Sequence, residues 1–361
     1  MNADHQATLT PGDFANHPVN IAWSAESKID LFRTMIRIRR FDHAALKQYQ
    51  AGKMGGWFFM SVGQESVAAC ARSLMGPQDH AITGCRGSGH AVAAGISMER
   101  DMAEHFGRLN GCSKGRAGAF GFYAPELRHW GCHALAGSQT PLAAGLAFGL
   151  KHRGENGAVV CFLGDGAVNT GAFHESLNLA GLFGLPVVYL IENNGYAMGT
   201  SVARSSAFHG CLARRAEAYG IDWDHFDDGN PYEMRARLHT ALERARVGRR
   251  PTVIEIATYR YYGFSISDAN HKRYRTPEEI EEQKARDPLE RWKQHLNVQG
   301  ILTDDEAEAI DLQAKAEAGA AVKSAEAGEI PSAGDLERYV YWEHDHATAA
   351  GMAGRHFFDP P

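Results

Sequence analysis

Two short polar stretches hold residue types that could do chemistry together. Gly164-Asp165-Gly166-Ala167 follows the apolar run Ala158–Leu163, and Glu192-Asn193-Asn194-Gly195-Tyr196 ends the run Pro186–Glu192. Each run has the length of a buried strand and stops at turn-forming residues. A helical pattern, Ala172–Phe183, lies between them. In a parallel βαβ unit the C-terminal ends of the two strands lie side by side. Asp165 and Asn194 would then bring a carboxylate and an amide oxygen together, with a free backbone carbonyl nearby. A few hard oxygen ligands suit Mg²⁺, which takes the rest from water and phosphate. The glycines let the backbone approach a diphosphate, and the helix N-terminus that follows offers N–H donors to it. Either tripeptide alone is an ordinary turn. Together, each ending a buried strand, they point to a metal–diphosphate site.

The rest of the chain must supply the elements that hold these two ends. Further buried strands are expected at His80–Cys85 and Pro251–Tyr259. Helices are expected at Ser24–Gln50, with Ser24 as N-cap, and at Ser66–Leu74, Met98–Phe106, Ala213–Gly220 and Pro231–Val247. A further helix follows Gln139, and from Pro277 to about Ala327 the chain is helical and charged. Gly107–Arg128 reads as a long ordered loop, a class that is usually functional. The basic run Arg37–Arg40 reads as a solvated or interface face. Strands alternating with helices predict an α/β fold with a mostly parallel sheet flanked by helices and a helical C-terminal extension. The expected division is an arm at 1–24, an α/β domain at 25–275 and a helical extension and tail at 276–361. His344, His346 and His356 in the tail are too irregularly spaced to suggest metal and read as partner-facing.

Bulk properties narrow the class. The 361 residues are 44% apolar and 22% charged, ordinary for a globular protein, with a net charge of −6 that disfavours nucleic acid. No secretory signal and no membrane-length apolar run is expected. Six cysteines without CxxC spacing read as free thiols in a reducing cytoplasm.

The Asp165–Asn194 pair resembles the diphosphate-binding motif of thiamine diphosphate enzymes. Gly111-Cys112-Ser113-Lys114-Gly115-Arg116, Ala136-Gly137-Ser138-Gln139-Thr140-Pro141 and Gly166–Leu182 are similar to the α subunit of two-subunit 2-oxo acid dehydrogenase E1 enzymes, from about Arg37 to Pro288. The resemblance implies Asp165, Asn194 and the Tyr196 carbonyl as Mg²⁺ ligands. Gly166, Ala167 and Arg86 would lie near the phosphates, Arg86 as a fixed fork of donors. Backbone at Ala134 and Ala136 would meet the aminopyrimidine ring, and Arg260 opens a stretch, Arg260–Asp268, that matches the active-site loop. The activating glutamate comes, in this family, from a separate β chain. No second α/β domain follows residue 270, so a β partner in an α2β2 assembly is implied, with a lipoyl or other carrier protein as acyl acceptor.

The chain departs from that family around the reacting carbon. Phe59, Ser88 and Phe264 stand where histidines are usual, and Cys85 stands where a tyrosine is usual. Three groups able to exchange protons near neutral pH are thereby lost. His133 is the candidate replacement acid/base, set against a structural role, and Ser88 is a second candidate at the altered position. Three activities remain open: an E1 α subunit acting on a 2-oxo acid or acetoin, a two-carbon ketol or acyloin transferase subunit, and a non-catalytic paralogue. The retained Asp165–Asn194 pair argues against the last.

Overall fold

The computed structural model of the protein describes residues 14–268 and 271–335. The tail histidines lie outside the described residues. The strands among those described are β1 His80–Thr83, β2 Tyr123–Ala124, β3 His129–Cys132, β4 Val159–Gly164, β5 Val187–Asn193, β6 Tyr196–Ala197, β7 Thr200–Ser201, β8 Asp222–Asp227 and β9 Thr252–Ala257. One sheet runs in the order β2-β3-β1-β4-β5-β9-β8. Its pairings are parallel except that of β2 with β3. β6 and β7 form a separate antiparallel pair.

The apolar runs form central strands because both faces of the sheet are covered. Val160, Phe162, Val188, Leu190, Ile254 and Ile256 pack into one core with the helices Ala25–Gln50, Glu65–Leu74, Pro231–Gly248, Pro288–Val298 and Asp304–Ala327. Their neighbours Val159, Cys161, Leu163, Val187, Tyr189, Ile191 and Val253 pack on the other face with the helices Gln139–Arg153 and Gly171–Phe183. Alternate residues thus serve opposite layers, the period-two rule of a strand. The result is the expected α/β architecture.

Local signals set several element ends. Ser24 caps the first long helix by accepting from the Ser27 N–H at 3.1 Å. Thr303 and Glu306 form a capping box at the helix Asp304–Ala327. Other elements differ from expectation. The Gly107–Arg128 segment holds β2 and two short 3₁₀ turns, and β3 follows it. Ser88–Ala94 is helical, and Leu212–Tyr219 is a 3₁₀ helix.

The basic run is used inside the chain. Arg37 donates to Glu317 at 2.6 Å, Arg39 to Glu65 at 2.6 Å and Asp287 at 2.8 Å, and Arg40 to Asp311 at 2.6 Å. The charged C-terminal segment is likewise not free in solvent. Its longest described helix, Asp304–Ala327, buries Ala307, Ile310, Ala314, Ala318, Ala321 and Ala325. Alanines there allow close approach to the helices Ala25–Gln50 and Met98–His105. No described helix is long and apolar enough to cross a membrane.

Candidate functional site

The sheet order places a crevice above β1 and β4. The connection from β1 leads to β3 on one side, and that from β4 leads to β5 on the other. Such a switch point leaves a gap at the C-terminal strand ends where ligands bind in open α/β sheets. A cavity of about 450 Å³ lies there. β1 contributes Gly84, Cys85 and Arg86 through the segment after its end, and the segment after β3 contributes His133, Ala134 and Ala136. β4 and the turn after it contribute Leu163 to Ala167, β5 and the turn after it contribute Glu192 and Asn194, and β6 contributes Tyr196. Trp57, Gln64, Met198 and Phe264 complete much of the wall.

Asp165 is 3% exposed, and its Oδ2 is buried with no hydrogen-bond partner. Burial pushes its carboxyl up to about 6, because the charged form lacks solvation. Asn194 faces the same cavity. Its Nδ2 donates to Gln64 Oε1 at 3.3 Å, and its Oδ1 accepts from the Tyr196 N–H at 3.4 Å. The preceding Asn193 braces the turn by donating to the buried Glu255 at 2.7 Å and accepting from the Gly195 N–H at 3.0 Å. Gly195 has φ +85°, a left-handed turn that favours glycine. The Tyr196 hydroxyl donates to both oxygens of Glu279 at 3.1 Å.

Arg86 is half-buried and donates to the carbonyls of Met60 and Phe264, the latter at 3.1 Å. Burial, helped by the nearby Arg260, lowers its guanidinium to about 10, so it stays charged at neutral pH. Glu192 Oε2 lies 3.1 Å from His90 Nε2. Gly166 begins the short turn Ala167–Asn169, and a Cβ there would meet the Ala197 Cβ at 2.5 Å. Close backbone approach is therefore a requirement of this turn. Thr170 then caps the helix Gly171–Phe183.

These contacts bring Asp165, Gly166, Ala167, Asn194, Tyr196, Arg86, Ala134, Ala136 and His133 to one cavity. Burial lowers the His133 ring below its ordinary value, and its Nε2 has no partner. Ser88 and Arg260 do not line the cavity. The Ser88 hydroxyl is buried 3.2 Å from His105 Nε2, turned inward by the helix it begins. Arg260 is buried behind the wall, where it donates to the Met198 carbonyl at 2.6 Å and the Tyr262 carbonyl at 2.9 Å. Sequence reasoning gave no role to Gln64, Trp57 or the His90–Glu192 pair. Gln64 directly precedes the helix Glu65–Leu74, and its partner Asn194 is far away in sequence, so no local pattern links them.

A buried carboxylate oxygen without a partner, an amide side chain lining the same cavity and a glycine-lined turn fit a hydrated divalent cation with a phosphate ligand. Among the described residues no group of three or more His, Cys, Asp or Glu could hold a metal by itself. The residues present suit a cation that shares its coordination with a bound cofactor and water.

Comparison with known proteins identifies the family. Residues 33–333 match the family described as dehydrogenase E1 component. The chain is 38% identical over 316 residues to the pyruvate dehydrogenase E1 component subunit alpha of Rickettsia felis, covering 88% of this chain and 96% of that relative. It is 37% identical over 304 residues to the same-named subunit of Rhizobium meliloti, covering 84% and 86%. A mitochondrial pyruvate dehydrogenase E1 alpha type I subunit from Ascaris suum is 37% identical over 330 residues, covering 90% and 82%. The chain belongs to the dehydrogenase E1 component family, as an alpha-type member of its thiamine diphosphate-dependent oxidoreductases.

Proposed function

We propose that the cavity above β1 and β4 binds thiamine diphosphate through Mg²⁺, and that the chain works as the α subunit of an E1 enzyme acting on a 2-oxo acid. The observation that carries this reading is the orphaned, buried Asp165 Oδ2 facing the same cavity as Asn194. A cation there would discharge the cost of that desolvated carboxylate.

Asp165, Asn194 and the Tyr196 carbonyl would hold the cation. Arg86 and the N–H groups after Gly166 would face the diphosphate. The cofactor, when bound, supplies the carbanion chemistry. The chain orients it and excludes water from its surroundings. His133, whose ring burial shifts toward the neutral form, would accept or hold a proton at Nε2. The activating carboxylate would come from a separate β chain in an α2β2 assembly. The acyl group would pass to a lipoyl carrier protein.

Isothermal titration of the chain co-purified with a β-type E1 subunit tests this. Mg²⁺–thiamine diphosphate should bind to the native complex, and binding should disappear in Asp165→Ala. Tight binding retained by that variant would show that the metal lies elsewhere.

A further inference from the structure

At two of the positions where the family resemblance puts histidines, this chain builds a wall of aromatic rings. Phe264 and Trp57 both line the cavity, and their rings meet edge to face with centroids 5.9 Å apart. Phe59 packs behind them, 5.2 Å from Phe264 and 5.7 Å from Trp57. Phe120 backs Phe59 at 5.7 Å. The separations are those of aromatic pairs in contact, and Phe264 meets both Trp57 and Phe59 edge to face, a favourable arrangement.

The wall is held in place from several sides. Phe59 is 2% exposed, so it has no room to swing away. Arg86 grips the Phe264 carbonyl, and the Ile266 N–H donates to the Phe58 carbonyl at 3.0 Å, lacing the two segments together. Met198 and Cys85 extend the weakly polar surface around the cavity.

Such a wall discriminates by what it leaves unpaired. Hydroxyls of a sugar pressed against phenyl rings would lose water and gain no partner. A methyl-sized group gains little from it. A branched or aromatic side chain gains in proportion to the apolar area it removes from water. An apolar pocket separates ligands that differ by one methylene by about 10-fold to 200-fold.

We propose that Trp57, Phe59 and Phe264 form the donor-selecting wall of this enzyme, and that the donor is a 2-oxo acid with a bulky apolar side chain, neither pyruvate nor a ketose. Trp57 and Phe264 touch the side chain, and Phe59 positions Phe264 from behind. This inference rests on the E1 reading given above.

The test uses the complex with a β-type E1 subunit, Mg²⁺ and thiamine diphosphate. Reduction of an artificial electron acceptor is followed with pyruvate, 2-oxobutanoate, 4-methyl-2-oxopentanoate and phenylpyruvate. The expected kcat/KM rises along the series, by about 10-fold or more from pyruvate to the better of the last two. Phe264→Ser should flatten that rise, mainly through KM. Should Phe264→Ser fail to fold, Trp57→Ala at a half-exposed position carries the same expectation. As a readout independent of turnover, 4-methyl-2-oxopentanoate should quench the emission of Trp57, and Trp57→Phe should abolish the change. A complex that turns over 2-oxo acids but prefers pyruvate overturns the proposal alone. So does an unchanged profile in both variants. A complex that binds the cofactor yet turns over no 2-oxo acid overturns the E1 reading, and the proposal falls with it.

Discussion

Arg86 donates to the carbonyl of Phe264 across 3.1 Å, so a cation at the end of β1 holds a loop that begins beyond β9. The same guanidinium reaches the Met60 carbonyl. A lysine would keep the charge but lose the planar fork that serves several acceptors at once. Arg86→Lys is expected to weaken Mg²⁺–thiamine diphosphate binding by about 10-fold to 100-fold, the worth of one or two charge-assisted hydrogen bonds. Calorimetric titration of the complex measures this, and unchanged affinity would remove Arg86 from the phosphate site.

Gln64 fixes the amide of Asn194 at 3.3 Å and thereby decides which atom of that side chain is left for a cation. Its partner is a proposed ligand, so Gln64 would act behind the metal. Gln64→Ala should lower Mg²⁺ affinity by about 10-fold to 100-fold, as is typical of groups that orient ligands. Gln64→Glu, which can still accept from Nδ2, should recover much of the loss. A Gln64→Ala complex with native Mg²⁺ dependence would contradict the assignment.

Asp42 is wholly buried, and its Oδ1 has no partner. Burial pushes its carboxyl up to about 8, against an ordinary value of 3.8. Between those values the folded state keeps a proton that the unfolded state has released. Asp42's contribution to stability is therefore full at the acid end and declines as pH rises through about 8. Asp42→Asn removes that dependence. Its melting temperature should fall by a few degrees less than that of the native chain between about pH 5 and pH 8.5. Parallel melting curves against pH for both proteins would sink the idea.

Glu104 anchors the segment that presents Phe120 to the aromatic wall. Its Oε2 accepts from the N–H groups of Ser113 at 2.7 Å and Gly115 at 2.9 Å, and its Oε1 from those of Ala117 at 2.9 Å and Gly118 at 3.1 Å. Glu104→Gln turns an NH₂ toward two of these donors. The expected loss is roughly 3 kcal/mol of stability, with faster proteolysis within residues 107–121. Denaturant unfolding and limited digestion measure both. A variant as stable and as resistant as the native chain would mean the segment holds its shape by other contacts.

How much of this could be read in the sequence depends on where the information lies. β4 and β5 were legible because both are buried on two faces and end in turn residues, which also exposed Asp165 and Asn194. β8, with the sequence Asp222-Trp223-Asp224-His225-Phe226-Asp227, was not legible. It is an edge strand whose polar residues meet solvent, so its apolar signal is thin. β3 escaped because four residues including Gly131 carry little pattern. The inward turn of Ser88 toward His105 and the burial of Arg260 behind Met198 depend on contacts that no local spacing encodes. The aromatic identity of Phe59 and Phe264 was plain in the sequence. That they join Trp57 and Phe120 in one wall was not.

Tyr196 and Tyr259 both donate to Glu279, at 3.1 Å and 2.9 Å, and Glu279 belongs to the helix Pro277–Lys284. The turn proposed to carry a metal ligand is thus moored to a segment that comes after the last strand of the sheet. Exchanging the segment beyond β9 for an unrelated one would therefore release the turn at Tyr196 as well, because its mooring carboxylate would leave with the segment.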